Sequence, residues 1–156
     1  MAVDTGVKKP TGCIVERGTP LVTYMKVETA TSCKPGRLVK KDTYDSTVEI
    51  CGDMGLAIGW LGYEQAHPAV KANASGLNGS VDGTYAANDI APVLNGDFII
   101  VASLKAAEVC TAGGRATPGA SGEVTTFASG DCVVGIFMES KSYSGSSQDV
   151  LVKSTI

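Results

Sequence analysis

The sequence predicts an all-β fold, or a β-rich one with short helical turns: a small barrel or sandwich with a pseudo-repeated β-unit and an extended N-terminal arm. Three observations predict it. First, one module occurs twice. Its first copy reads Pro35-Gly36-Arg37-Leu38-Val39-Lys40, then Cys51-Gly52-Asp53, then Ala57-Ile58-Gly59-Trp60-Leu61, ending at Glu64. Its second reads Gly113-Gly114-Arg115-Ala116, then Ser129-Gly130-Asp131, then Val133-Val134-Gly135-Ile136-Phe137, ending at Glu139. Second, short runs of strand formers recur about every ten residues between glycine turns, the spacing of barrels and sandwiches. Third, the chain holds 19 glycines and few long apolar helical patterns. Two copies fall short of the roughly three units a stacked solenoid needs, so a pseudo-symmetric single domain is expected.

Residues 1–20 read as an extended arm: polar, with Lys8-Lys9-Pro10 near the start and little periodicity. Residues 21–156 read as one β-rich domain, with a polar excursion at 64–83. Leu21 to Val27 alternates and is rich in strand formers, so it predicts a strand. Arg37 to Lys41 and Ser46 to Ile50 follow as strands around the turn Asp42-Thr43-Tyr44-Asp45. Leu56 to Leu61 is a continuous apolar run, the pattern of a strand buried on both faces or closing a barrel. Thr84 to Leu94 predicts a short helical turn before Pro92. Asn95-Gly96-Asp97 is a turn signal, and Phe98 to Ala102 is the strongest strand pattern in the chain. Lys105 to Val109 fits a helical turn or a strand equally. Glu123 to Phe127 and Cys132 to Met138 predict late strands, and Gln148 to Lys153 a last one at a sheet edge.

Composition narrows the function classes. A chain of 156 residues fits one domain and buries roughly 70% of its unfolded surface, enough for a core without staples. The net charge of −3 and the lack of a basic stretch interleaved with aromatics argue against nucleic-acid binding. Residues 1–20 lack the apolar core of a signal peptide, and no run approaches the roughly 20 apolar residues of a membrane span. The expectation is a soluble protein made in a cytoplasm. Cys13, Cys33, Cys51, Cys110 and Cys132 are odd in number, with no Cys-x-x-Cys among them. Reduced, mostly buried thiols are expected. Cys51 and Cys132 stand near equivalent places in the two copies, which leaves a link between them open.

The residues that could carry chemistry do not assemble into a site, so no catalytic, cofactor or metal residue is assigned. A nucleophilic triad needs a base, and the one histidine, His67, lies in the polar excursion. Zinc would need three or four Cys or His ligands with close pairs. Asp53, Asp97 and Asp131 each follow a glycine, where Asp accepts backbone hydrogen bonds in tight turns. The competing reading, a carboxylate pair for hydrolysis, needs two of them within roughly 5–10 Å. Gly113-Gly114-Arg115 lacks the rest of a phosphate-loop fingerprint. Asn73-Ala74-Ser75 and Asn78-Gly79-Ser80 match a glycosylation pattern without a secretory context.

The order of signals from Ala30 onward resembles the tailed-phage capsid decoration (cement) proteins. The resemblance is carried by Pro35-Gly36-Arg37-Leu38-Val39, by Ala57-Ile58-Gly59-Trp60 and Val133-Val134-Gly135-Ile136, and by Leu94-Asn95-Gly96-Asp97-Phe98-Ile99-Ile100 between them. It implies a non-enzymatic structural virion protein, made in the host cytoplasm, that binds the outer capsid surface. There it would bridge neighbouring major capsid protein subunits, often as a homotrimer, with no cofactor, nucleic acid or membrane. In that setting Met1 to Thr19 would be the clamp. Lys8, Lys9 and Arg17 read either as a solvated tail or as a contact with an acidic partner surface, and Trp60 and Tyr63 would anchor the core or a subunit contact. The alternative is a soluble β-barrel carbohydrate- or ligand-binding module on a virion appendage. With 6% aromatic residues, scattered along the chain, a sugar-stacking groove is not visible.

Overall fold

The computed structural model describes residues 15–28, 33–62 and 85–156. These form the strands β1 (Val15–Arg17), β2 (Leu21–Val27), β3 (Leu38–Lys41), β4 (Thr47–Ile50), β5 (Gly59–Leu61) and β6 (Ile90–Asn95). They continue with β7 (Ile99–Leu104), β8 (Arg115–Pro118), β9 (Val124–Thr126), β10 (Gly135–Phe137) and β11 (Gln148–Ser154). One 3-10 turn, Ala120–Gly122, sits between β8 and β9.

The repeated unit is larger than the sequence signal: it is a whole barrel. The first barrel closes in the order β2-β4-β3-β5-β6. The second runs β7-β11-β10-β8-β9 and closes by a parallel pairing of β9 on β7, with β1 added beside β7. Each barrel uses one parallel pair (β2–β4, β7–β9) and four antiparallel ones in the same places. Hence β2 to β6 correspond one by one to β7 to β11.

The pairings set the internal register. Val39 faces Gly59 and Leu38 faces Trp60, while Ala116 faces Gly135 and Arg115 faces Ile136. Gly36 N–H bonds to the Leu61 carbonyl as Gly113 N–H does to that of Phe137, at 2.8 Å in both. Gly36 therefore matches Gly113, and Arg37 matches Gly114, one residue away from the match of the two Gly-Arg pairs in sequence. The Gly-Asp turns also shift. Gly55 N–H bonds to the Gly52 carbonyl as Asp131 N–H does to that of Ala128, so Met54 matches Gly130. Both hold positive φ, 55° and 96°. Asp53 thus does not occupy the turn position of Asp131.

Alternation builds each interior. Val27, Val39, Val48, Leu61, Ala91 and Val93 fill the first barrel, and Tyr85 closes it with its hydroxyl on the Gly62 carbonyl at 2.8 Å. Ile100, Ala102, Leu104, Val124, Phe137, Val150 and Val152 fill the second. Burying alternate faces locks the register, because a one-residue slip would turn the whole set outward. Gly59 and Gly135 sit where strands crowd. A Cβ on Gly59 would stand 2.6 Å from Val93 Cγ1, and one on Gly135 would collide with Val152 Cγ1.

Several expectations change. The run from Leu56 to Leu61 is not one buried strand, since Leu56 is 73% exposed and only Gly59–Leu61 pairs. In the run from Cys132 to Met138 only Gly135–Phe137 is strand. The segment before Leu94 is β6 rather than a helical turn. Pro92 is tolerated inside it because its carbonyl still accepts the Gly62 N–H at 2.8 Å, while the Gly62 carbonyl opposite the missing proline N–H takes the Tyr85 hydroxyl instead. Lys105 to Val109 is a turn with Ala107 at φ 67°. The last strand is not at an edge: β11 lies between β7 and β10. The excursion at 64–83 and most of the arm lie outside the described residues. Within the arm, Val15–Arg17 is docked as β1 on β7.

Candidate functional site

The barrels share one hydrophobic cluster. Leu38, Cys51, Trp60 and Leu94 of the first barrel join the interior set of the second. The Trp60 ring is fully buried, and its Nε1–H donates to Ser154 Oγ at 3.1 Å. The Ser154 hydroxyl in turn reaches the Ile156 carbonyl at 3.1 Å. Gly122 N–H donates to the Cys51 carbonyl at 2.8 Å, and Arg37 Nη1 donates to the Ser121 carbonyl at 3.1 Å. Arg37 also pairs with Glu123 at 2.9 Å, their side chains 17% and 12% exposed. Backbone approaches here are close: a Cβ on Gly36 would lie 2.7 Å from the Val101 carbonyl oxygen. The junction is apolar at its centre, hydrogen-bonded, and stapled by the Arg37–Glu123 ion pair.

This geometry decides between the two readings of Trp60. The ring anchors the core between the barrels and is not on an outer surface. Arg17 is exposed at the end of β1. Lys8, Lys9 and Tyr63 lie outside the described residues. The strand β1 holds Arg17 against β7 through the pairs Val15–Ile100 and Arg17–Ile99, so the arm leaves from the second barrel.

Of the three aspartates, Asp131 has the backbone contact of a turn residue. Asp131 accepts the Ala128 N–H at 2.9 Å. Asp97 pairs with Lys153 at 3.4 Å on the surface, beside a shallow depression lined by Gly96, Ser154 and Thr155. Asp53 is exposed. Among the described residues, no three His, Cys, Asp or Glu side chains gather to hold a metal ion. Cys33, Cys51, Cys110 and Cys132 are all outside disulfides. Burial pushes the Cys33 and Cys51 thiols up to about 11 and raises that of Cys110 as well. Such thiols are poor nucleophiles at neutral pH.

Sequence reasoning missed two sets of exposed apolar side chains. On the first barrel Leu21, Val22, Tyr24 and Ile90 are 73%, 47%, 56% and 48% exposed. On the second, Phe127, Ile136 and Met138 are 40%, 37% and 45% exposed, with the Arg115 guanidinium 5.3 Å from the Phe127 ring centre. The correct register of the repeat was the signal that could have found them, because Leu21, Tyr24, Phe127 and Ile136 align with the buried Phe98, Val101, Cys51 and Trp60 of the other barrel.

No protein-family model and no curated protein matches the chain. Solved structures do. A chain from the capsid of Myoviridae phage XM1 superposes with a TM-score of 0.57 at 17% identity, covering 98% of this chain and 97% of that one. The N base of the head fiber gp8.5 of bacteriophage phi29 matches over 88% of this chain and 98% of its own, at 11% identity and a TM-score of 0.49. The chain shares its whole fold with the XM1 capsid chain.

Proposed function

We propose that this chain is a non-enzymatic structural protein of a phage virion. It binds the outer capsid surface as a homotrimer and stabilises the shell by bridging neighbouring major capsid protein subunits. It is made in the host cytoplasm. The observation that carries this reading is the end-to-end likeness of the fold to a chain of a phage capsid. The physical logic supports it. One trimer reaches several subunits at once, so modest contacts multiply through effective concentration. A protein that binds only the assembled shell stabilises it by mass action. The arm ahead of β1, carrying Lys8 and Lys9 and followed by the exposed Arg17, supplies the clamp. An extended arm can add a strand to a neighbour's sheet edge through main-chain hydrogen bonds.

Because β1 is docked on its own barrel, the informative truncation removes residues 1–14 and keeps Val15–Arg17. The truncated chain is expected to keep its melting temperature and to lose co-sedimentation with purified shells of the virus that carries it. Undiminished co-sedimentation would overturn the role of the arm. Failure of the full-length chain to co-sediment would overturn the function itself.

A further inference from the structure

The junction between the two barrels has two unequal sides, and the pseudo-symmetry duplicates each of them. The first barrel contributes Leu38, Cys51 and Trp60, all fully buried. Their counterparts on the second barrel are Arg115, Phe127 and Ile136, which lie open. The equivalence rests on matched pairs and bonds. Leu38 faces Trp60 as Arg115 faces Ile136, and the Cys51 and Phe127 N–H groups bond to the Leu38 and Arg115 carbonyls at 3.0 and 3.1 Å.

The receiving side behaves the same way. On the second barrel it includes β7, where Gly36 seats against Val101. Val27 and Leu104 hold the same place, since Val27 pairs with Val48 and Leu104 with Val124. Counting back along the strands, Val101 matches Tyr24, and Phe98, which is 2% exposed, matches Leu21. The turn glycines agree. Gly36 is pressed onto Val101, whereas a Cβ on its counterpart Gly113 would meet nothing within 4 Å.

We propose that the open face of the second barrel, at Arg115, Phe127 and Ile136, docks on the open face of the first barrel, at Leu21 and Tyr24, of another copy of this chain. The contact continues the junction already made inside each chain. It deepens the homotrimer proposed above and rests on that reading. A contact between unlike faces builds a ring where its rotation closes and an open filament where it does not, and the homotrimer is the closed case with three copies. A ring of three chains then carries six similar barrels in sequence, first and second alternating. The two faces are not copies of the internal junction in detail. Arg115 replaces Leu38, and its guanidinium lies over Phe127, so the intermolecular contact carries a cation where the one around Trp60 has an apolar side chain.

The test uses charge insertion at exposed positions in the full chain, read by native mass in the absence of shells. Ile136→Glu breaks one face and Leu21→Glu the other. Each variant alone is expected to be monomeric, with self-association weakened about tenfold or more. Mixed in equal amounts, they are expected to form a one-to-one heterodimer, because one intact face remains on each chain. Tyr24→Glu repeats the second arm of the test should Leu21→Glu lower the melting temperature.

A wild-type chain that is itself monomeric, a variant that keeps the wild-type mass, or a mixture that stays monomeric would overturn the proposal. Co-sedimentation with shells is measured separately. Loss of shell binding by a chain that still self-associates counts against the virion function and leaves the docking faces standing.

Discussion

The bond between Trp60 and Ser154 offers a direct measure of how the two barrels hold each other. Ser154→Ala removes the acceptor and strands the buried indole N–H, which costs about 1–3 kcal/mol. Trp60→Phe removes the donor instead and leaves the Ser154 hydroxyl its bond to the Ile156 carbonyl. Its cost is one hydrogen bond, about 1 kcal/mol, plus the packing of the lost ring. The double variant no longer has an orphaned N–H, so it should be less destabilised than the sum of the singles. The coupling expected is about 1 kcal/mol. Urea unfolding reads it: with a slope near 2 kcal/mol/M, a 2 kcal/mol loss lowers the midpoint by about 1 M. The chain has one tryptophan, so fluorescence reports this junction in the wild type and in Ser154→Ala. Far-UV circular dichroism follows the Trp60→Phe variants. Additive single and double effects would refute the reasoning, as would a Ser154→Ala midpoint within about 0.1 M of wild type.

Two further outcomes follow from other parts of the molecule. Gly59→Ala and Gly135→Ala should each destabilise by about 1–3 kcal/mol, since the new Cβ collides with Val93 in one barrel and Val152 in the other; matched losses in thermal melts check the equivalence of the two positions. Cys33 and Cys51 should resist thiol reagents at pH 8 in the folded protein and react after unfolding. Their thiols ionise near 9 when unfolded and near 11 when folded, so their contribution to stability is whole below about pH 9 and declines as pH rises towards 11. Urea midpoints measured from pH 8 to 11 should fall over that window, and a flat profile would show that burial does not perturb these groups.

Much of the fold is legible in the sequence because its signals are local. Alternation in Leu21 to Val27, the Asn95-Gly96-Asp97 turn and the strand after Phe98 are set by side-chain period and glycine dihedrals within a few residues. The repeat itself is legible too. Its register is not. Matching Gly-Asp to Gly-Asp puts Asp53 on Asp131, while the hydrogen bonds put Met54 on Gly130. The required feature there is a positive φ, which Gly130 adopts freely and Met54 adopts under the constraint of its turn.

What only the tertiary structure decides is which apolar residues are covered. Trp60 and Ile136 sit at the same place in the same kind of strand, and nothing within a few residues of either tells one from the other. Trp60 is buried because a second barrel happens to stand against it, and Ile136 is exposed because none does. The sequence by itself determines two copies of a β-module, each built from a glycine turn and short strands. The closure of each into a barrel, and the pair of open faces left at the ends, depend on contacts between residues far apart in the chain, which no local pattern encodes.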